Sequence, residues 1–124
     1  MPINYEIDRD YKVIVEVWTG DIYADDLKAY WIRYLGDPEV LAIRRTLVDL
    51  RQCEIHFNGK QLDSLIQEIV LPVLHRRDWK TAIVVEGAHQ FGISRQYQVF
   101  AERYSKDAIF HSIEDARKWL LELN

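Results

Sequence analysis

Five polar residues could act together if the chain brings them to one edge: Asp49 and Arg51 in LVDLRQCEIHF, and Glu86, His89 and Arg95 in VVEGAHQFGISR. Carboxylate, imidazole and guanidinium groups move protons and hold anions or polar ligands, so these five are the candidate ligand-binding set. With Asp49, Glu86 and His89 as acid and base, the same edge would suit a small enzyme. With its carboxylates tied up in ion pairs it would only bind. Asp49 is the most informative of the five. A carboxylate near the end of an inner strand needs a partner, and Arg51 and Arg95 are the candidates. Two meanings stay open: a buried ion pair that pins strand to helix, or a site for an anion or polar ligand.

Other chemistries are weaker. Cys53 is the lone cysteine, which excludes an intrachain disulfide and a cysteine zinc cluster. His56 lies three residues on and could serve it as a base, but such spacing on a loop defines no geometry. His56, His89 and His111 come from three separate loops and could compose a metal site with Asp49 or Glu86. No HxxxH-type spacing supports one, so neither metal nor cofactor is expected. The segment GAHQFGIS has the glycine spacing of a phosphate-binding loop, but Ile93 stands where the lysine belongs. What remains there is a helix amino-terminus able to hold a small anion through free N–H groups.

These residues need elements to position them. At 124 residues the chain is one domain, 1–124, able to bury roughly two-thirds of its unfolded surface. The net charge of −4 argues against a nucleic-acid partner, which would call for a basic patch. The only basic clusters, Arg44-Arg45 and Arg76-Arg77, fall where solvated element ends are expected. MPINYEID lacks the charged-then-apolar pattern of a leader, and no apolar run approaches the ~20 residues of a membrane span. A cytoplasmic location is therefore expected. The four Trp and seven Tyr suit core packing or an interface, so self-association as a homodimer or an apolar ligand is worth testing.

In order, INYEID (3–8) and YKVIVEVW (11–18) predict a hairpin turning at Arg9-Asp10. Val13, Val15 and Val17 share a face expected to be core; Ile14, Glu16 and Trp18 share a mixed face expected near an edge or partial cover. Thr19-Gly20-Asp21 is expected to turn the chain into a helix over Ala24 to Leu35, with Leu27, Trp31, Tyr34 and Leu35 inward. After a short turn, 45–51 is a third strand and Cys53 to Phe57 a loop. Asn58 caps a helix with Leu62, Leu65, Ile66, Ile69 and Val73 inward, which Pro72 should kink or split. Ile83, Val84 and Val85 form a central strand covered on both faces, followed by a turn bracketed by Gly87 and Gly92 and a helix through Ile93, Tyr97, Phe100, Ala101 and Tyr104. AIFH (108–111) is a fifth strand, and Ser112 caps a last helix with Ile113, Ala116, Leu120 and Leu123 inward. The order ββαβαβαβα predicts an α/β fold with a mostly parallel five-stranded sheet, its first hairpin strand antiparallel, and about four helices.

TGDIYADDL, LVDLR, TAIVVEG, FGISRQYQVFAE and the closing IFHSIEDARKWL together resemble the SpoIIAA-like branch of the STAS superfamily over nearly the whole chain. The resemblance implies a right-handed βα superhelix, a sandwich rather than a doubly wound sheet. It also implies a regulatory role, since members act as anti-sigma-factor antagonists, transporter-attached domains and lipid-carrier-like domains. The antagonists carry a phosphorylated serine at the start of the helix after the third strand. Here Asn58 and Gly59 stand in that place, so the phosphoserine switch is expected to be missing; Ser64 and Ser94 are the serines that labelling would have to find.

The function expected is a non-enzymatic regulatory or binding module acting on a protein partner, itself included, or on a small apolar or anionic ligand. The alternative is a small α/β enzyme with an acid/base centre at the carboxyl rim of the sheet.

Overall fold

The computed structural model describes residues 1–74 and 78–122, so Arg76-Arg77 and Leu123 lie outside the described residues. Five strands form one sheet in sequence order: β1 (Ile3–Asp8), β2 (Val13–Ile22), β3 (Arg45–Ile55), β4 (Trp79–Val84) and β5 (Ser105–Phe110). β1 runs antiparallel to β2, and the remaining neighbours are parallel. Among the described residues the helices are α1 (Ala24–Leu35), α2 (Pro38–Ile43), α3 (Gly59–Leu65), α4 (Ala88–Phe100) and α5 (Ile113–Leu120). None is long and apolar enough to cross a membrane.

Each parallel crossover steps to the next strand in one direction. Crossovers of one hand then deliver their helices to one face of the sheet. Leu27 of α1, Leu62 of α3 and Ile93 of α4 accordingly share a core with Ile14, Val48 and Ile83 on the first face. The second face is covered by α5, whose Ala116 and Leu120 pack on Val13, Leu47 and Val84. Arg117 Nη1 reaches Asp8 Oδ2 at 3.3 Å, and Lys80 Nζ donates to the Trp119 carbonyl at 2.6 Å, so the last turn of α5 is fastened to the end of β1 and to β4.

Several local expectations need correction. Arg9-Asp10 is too short a turn for residues that disfavour positive φ, and the hairpin loop takes four residues, 9–12, with Lys12 at φ 55°. Thr19-Gly20-Asp21 stays in β2, because pairing with β3 runs on to Ile22 opposite Ile55 past an irregularity between Val17 and Thr19. Gly20 takes φ 73°, open to a residue without Cβ. For the same reason Cys53 to Ile55 is strand, not loop. Residues 38–43 form α2, capped by Asp37 with Pro38 at its first position, where a turn was expected.

The helix capped by Asn58 splits as Pro72 requires. α3 gives way to a π-helical turn, Ile66–Val70, closed by Leu71 N–H to the Ile66 carbonyl at 3.0 Å. That wider turn rotates the inward positions to Val70 and Leu74, and leaves Val73 exposed. Gly92 lies inside α4, which starts at Ala88 directly after Gly87.

The largest correction concerns β2. Its mixed face is not near an edge or under partial cover but lies in the larger core, where Ile14, Glu16 and Trp18 are all buried; on the valine face Val13 is buried and Val15 packs in the smaller layer under α5, while Val17 is half-buried. Most helices lie on one side, so the face pointing towards them becomes the core whatever its polarity.

Candidate functional site

Between the first face of the sheet and α1, α3 with its π-turn, and α4 lies a cavity of about 80 Å³. Trp18, Trp31, Tyr34, Phe57, Trp79, Tyr97 and Tyr104 contribute rings to its wall, and Glu16 is the one charged residue among the described lining residues. Strand alternation puts Glu16 there, two residues from Ile14 and two from Trp18. Its carboxyl accepts from Trp18 Nε1–H at Oε2 and from the Tyr30 hydroxyl at Oε1, both at 2.7 Å. Among the described residues no cation pairs with it. Burial pushes its pKa up to about 7 against the pull of those two donors. Burial and the neighbouring Glu16 also hold the Tyr30 hydroxyl far above its ordinary value, so Tyr30 stays a donor.

Most of the other polar groups on the wall are spoken for. The Thr46 hydroxyl accepts from Trp79 Nε1–H at 3.1 Å and shares a proton with the Tyr34 hydroxyl. Thr81 meets Ser105 at 3.2 Å, and the Tyr104 hydroxyl donates to that of Tyr97 at 3.0 Å. Ser94 differs. Only 2% exposed on α4, its hydroxyl oxygen has no hydrogen-bond partner. Depth also separates the two candidate serines, since Ser64 is exposed and Ser94 is not.

The rim residues take several places. Asp49 and Arg51, two apart on β3, pair bidentately (Nε to Oδ1 3.0 Å, Nη2 to Oδ2 3.1 Å), and the Arg51 backbone N–H adds a third bond to Oδ1. Desolvation pushes the Asp49 pKa up, but the Arg51 donors outweigh it and hold the carboxyl below its usual range. Asp49 alternates with Val48 and Leu50, so it faces the α5 side, away from the cavity. Glu86 is exposed nearby and adds to the field that holds Arg51 charged. His89 fastens α4 to the end of β3 through Nε2 to the Ile55 carbonyl at 3.1 Å, helped by Gln90 Nε2 on the Leu50 and Cys53 carbonyls. Arg95 is not joined to Asp49. One turn further along α4, it donates to Gln98 at 2.9 Å beside Glu102 and Asp107.

Nor are the three histidines gathered. His56 meets Asp21 (Nε2 to Oδ1 2.9 Å) and approaches Glu54 (4.0 Å), its ring stacked on Tyr23 at 4.8 Å. Asp21 and Glu54 are register partners on β2 and β3, and the three ligand atoms lie within 4.8 Å of one another. The group is exposed, and such exposed acidic groups are common without a metal. Cys53 is bonded to the Leu50 carbonyl at 3.2 Å, not to His56, and burial followed by the Asp49 charge pushes its thiol up to about 12, the reverse of a nucleophile.

Glu16 is the site residue that sequence reasoning passed over. Its signal is present in hindsight: a carboxylate between Ile14 and Trp18, on a strand whose following helix carries Tyr30 one turn before Tyr34.

No protein-family model matches the sequence, and no curated protein matches it. Among solved structures, an uncharacterized protein from the DUF3478 family with a SpoIIAA-like fold, from Shewanella loihica PV-4, superimposes with a TM-score of 0.62. The identity is 18%, over 95% of this chain and 91% of that one. At that identity the likeness shows the fold alone: this chain has the SpoIIAA-like α/β fold.

Proposed function

We propose that the chain is a non-enzymatic, STAS-like cytoplasmic module that holds a small, mostly apolar ligand inside the cavity beneath α1, α3 and α4. In this proposal it signals occupancy to a protein partner, a second copy included, across the exposed rim of Arg51, Glu86 and His89. The observation that carries the proposal is the aromatic cavity itself, with the unpartnered Ser94 hydroxyl in its wall. A cavity that only reflected poor packing would be dry and apolar throughout; one built to receive something has a few placed polar groups in apolar walls.

The acid/base alternative has less support. Asp49 is committed to Arg51 and the His89 ring to a backbone carbonyl, so neither is within reach of another reactive group. The phosphoserine alternative loses Ser94, which is buried, and rests on the exposed Ser64 within α3.

Native mass spectrometry of the protein isolated from its own cells tests the proposal, by showing mass, oligomeric state and any retained small molecule together. A retained organic mass lost on unfolding is expected. Protein at its bare sequence mass, with cavity resonances unmoved by any small apolar probe, would refute it.

A further inference from the structure

The ligand's chemical class follows from what faces the cavity, and the inference rests on the function proposed above. Among the described lining residues Glu16 is the only charged one, and no Lys, Arg or His among them offsets it. A buried carboxylate without a cation is costly, and natural interiors neutralise such groups by pairing. Here the two bonds from Trp18 and Tyr30 leave further lone pairs on both oxygens. The walls also carry indole and phenol rings, whose faces attract organic cations. Ser94 adds an oxygen able to accept an N–H.

We infer that the cavity binds a small organic cation, a short alkylammonium, with Glu16 as counter-ion, the aromatic rings around its carbon atoms and the Ser94 hydroxyl as an additional acceptor. A metal ion fits poorly, because a hard cation needs several oxygen ligands and this wall holds one carboxylate among rings. An anion would meet Glu16 with nothing to balance it. Size narrows the class further. About 80 Å³ is roughly half the 150 Å³ of an engineered cavity that admits benzene, room for about half of benzene's heavy atoms, so a two-carbon amine fits and a long-chain lipid does not.

The test uses three probes on one two-carbon skeleton: ethylamine as the cation, ethanol as the neutral form and acetate as the anion. Each is titrated into the full chain by calorimetry and by amide chemical shifts, for the wild type and for Glu16→Gln. The amine should bind at least about tenfold more tightly than the alcohol, and Glu16→Gln should erase that preference while leaving alcohol binding in place. Equal binding of amine and alcohol, or a preference for acetate, overturns the cation assignment but leaves the cavity as a ligand site. Failure of all three to bind the wild type or move cavity resonances overturns both. Should Glu16→Gln not fold, the wild-type ranking still decides the charge preference.

Discussion

Glu16→Gln also separates a strained interior from an ordinary one without any ligand. In the unfolded chain the carboxyl titrates near 4.5; in the folded protein burial raises it to about 7. Below 4.5 both states hold the proton and Glu16 leaves folding unopposed. Between 4.5 and about 7 the unfolded chain has released its proton while the folded one retains it, so stability falls as pH rises; above about 7 the loss is complete. At 1.36 kcal/mol per pH unit, the span from 4.5 to about 7 makes the wild type ~3 kcal/mol less stable at high pH than at low. Glutamine does not titrate. Its carbonyl can accept the Trp18 N–H while its amide donates to the Tyr30 oxygen, so the fold keeps both contacts. Tyr30 and Tyr34 face the same space, but both hydroxyls are pushed upward and stay neutral throughout this window. The assay is urea unfolding of both proteins from about pH 5 to about pH 8, read as the difference between them, which cancels the titration of every other group. The variant should overtake the wild type by ~2–3 kcal/mol at the upper end. Parallel pH profiles would refute the claim that Glu16 is an uncompensated buried carboxyl.

Asp49→Ala removes a bidentate partner of Arg51 from a half-buried place and should cost ~1–2 kcal/mol, between the values for surface and buried pairs, with ethylamine binding unchanged; denaturant midpoints and the same titration check both parts. A loss below ~0.5 kcal/mol would remove Asp49 from the structural pairs. Cys53 should react with an aromatic disulfide reagent about a hundredfold or more slowly in the native state than after unfolding, because its thiol is pushed up to about 12; equal rates at mildly alkaline pH would contradict that burial.

The sheet was legible because its signals are local and redundant. β-branched runs mark β3 and β4, Asn58 and Ser112 cap helices that begin at the next residue, and Ala24–Leu35 agrees to the residue with its amphipathic stripe. The errors share one cause, that a local pattern does not know its neighbours. β2 and β3 extend past Thr19-Gly20-Asp21 and past Cys53 because each supplies the other's hydrogen bonds, and a propensity argument for either strand alone cannot see that. Alternation in β2 divides the residues into two faces correctly, and Val13 and Val15 do pack in the layer under α5, but polarity underrates the mixed face, which helix placement makes the larger core. The candidate site failed by the same route. Asp49 drew attention as a carboxylate in an apolar strand, yet its partner is two residues away on that strand, whereas Glu16 needs Tyr30 from α1.

A carboxyl and a hydroxyl placed in an apolar interior are departures that stability alone would remove, and such departures concentrate where a protein does something. Ser94 allows that claim to be turned into numbers. Removing an orphan buried hydroxyl relieves its desolvation without breaking a bond, so Ser94→Ala should stabilise the ligand-free protein by ~1 kcal/mol. Joined to Glu16→Gln at about pH 8, the double variant should gain ~3–4 kcal/mol if the two groups act independently. The same double variant should lose all preference for ethylamine over ethanol. Gain of stability and loss of discrimination must arrive together, because one pair of groups produces both. A double variant that is more stable and still selects the amine would place the source of selectivity elsewhere. One that is less stable would mean that Glu16 and Ser94 hold each other in place, and the interior would then be an ordinary satisfied core.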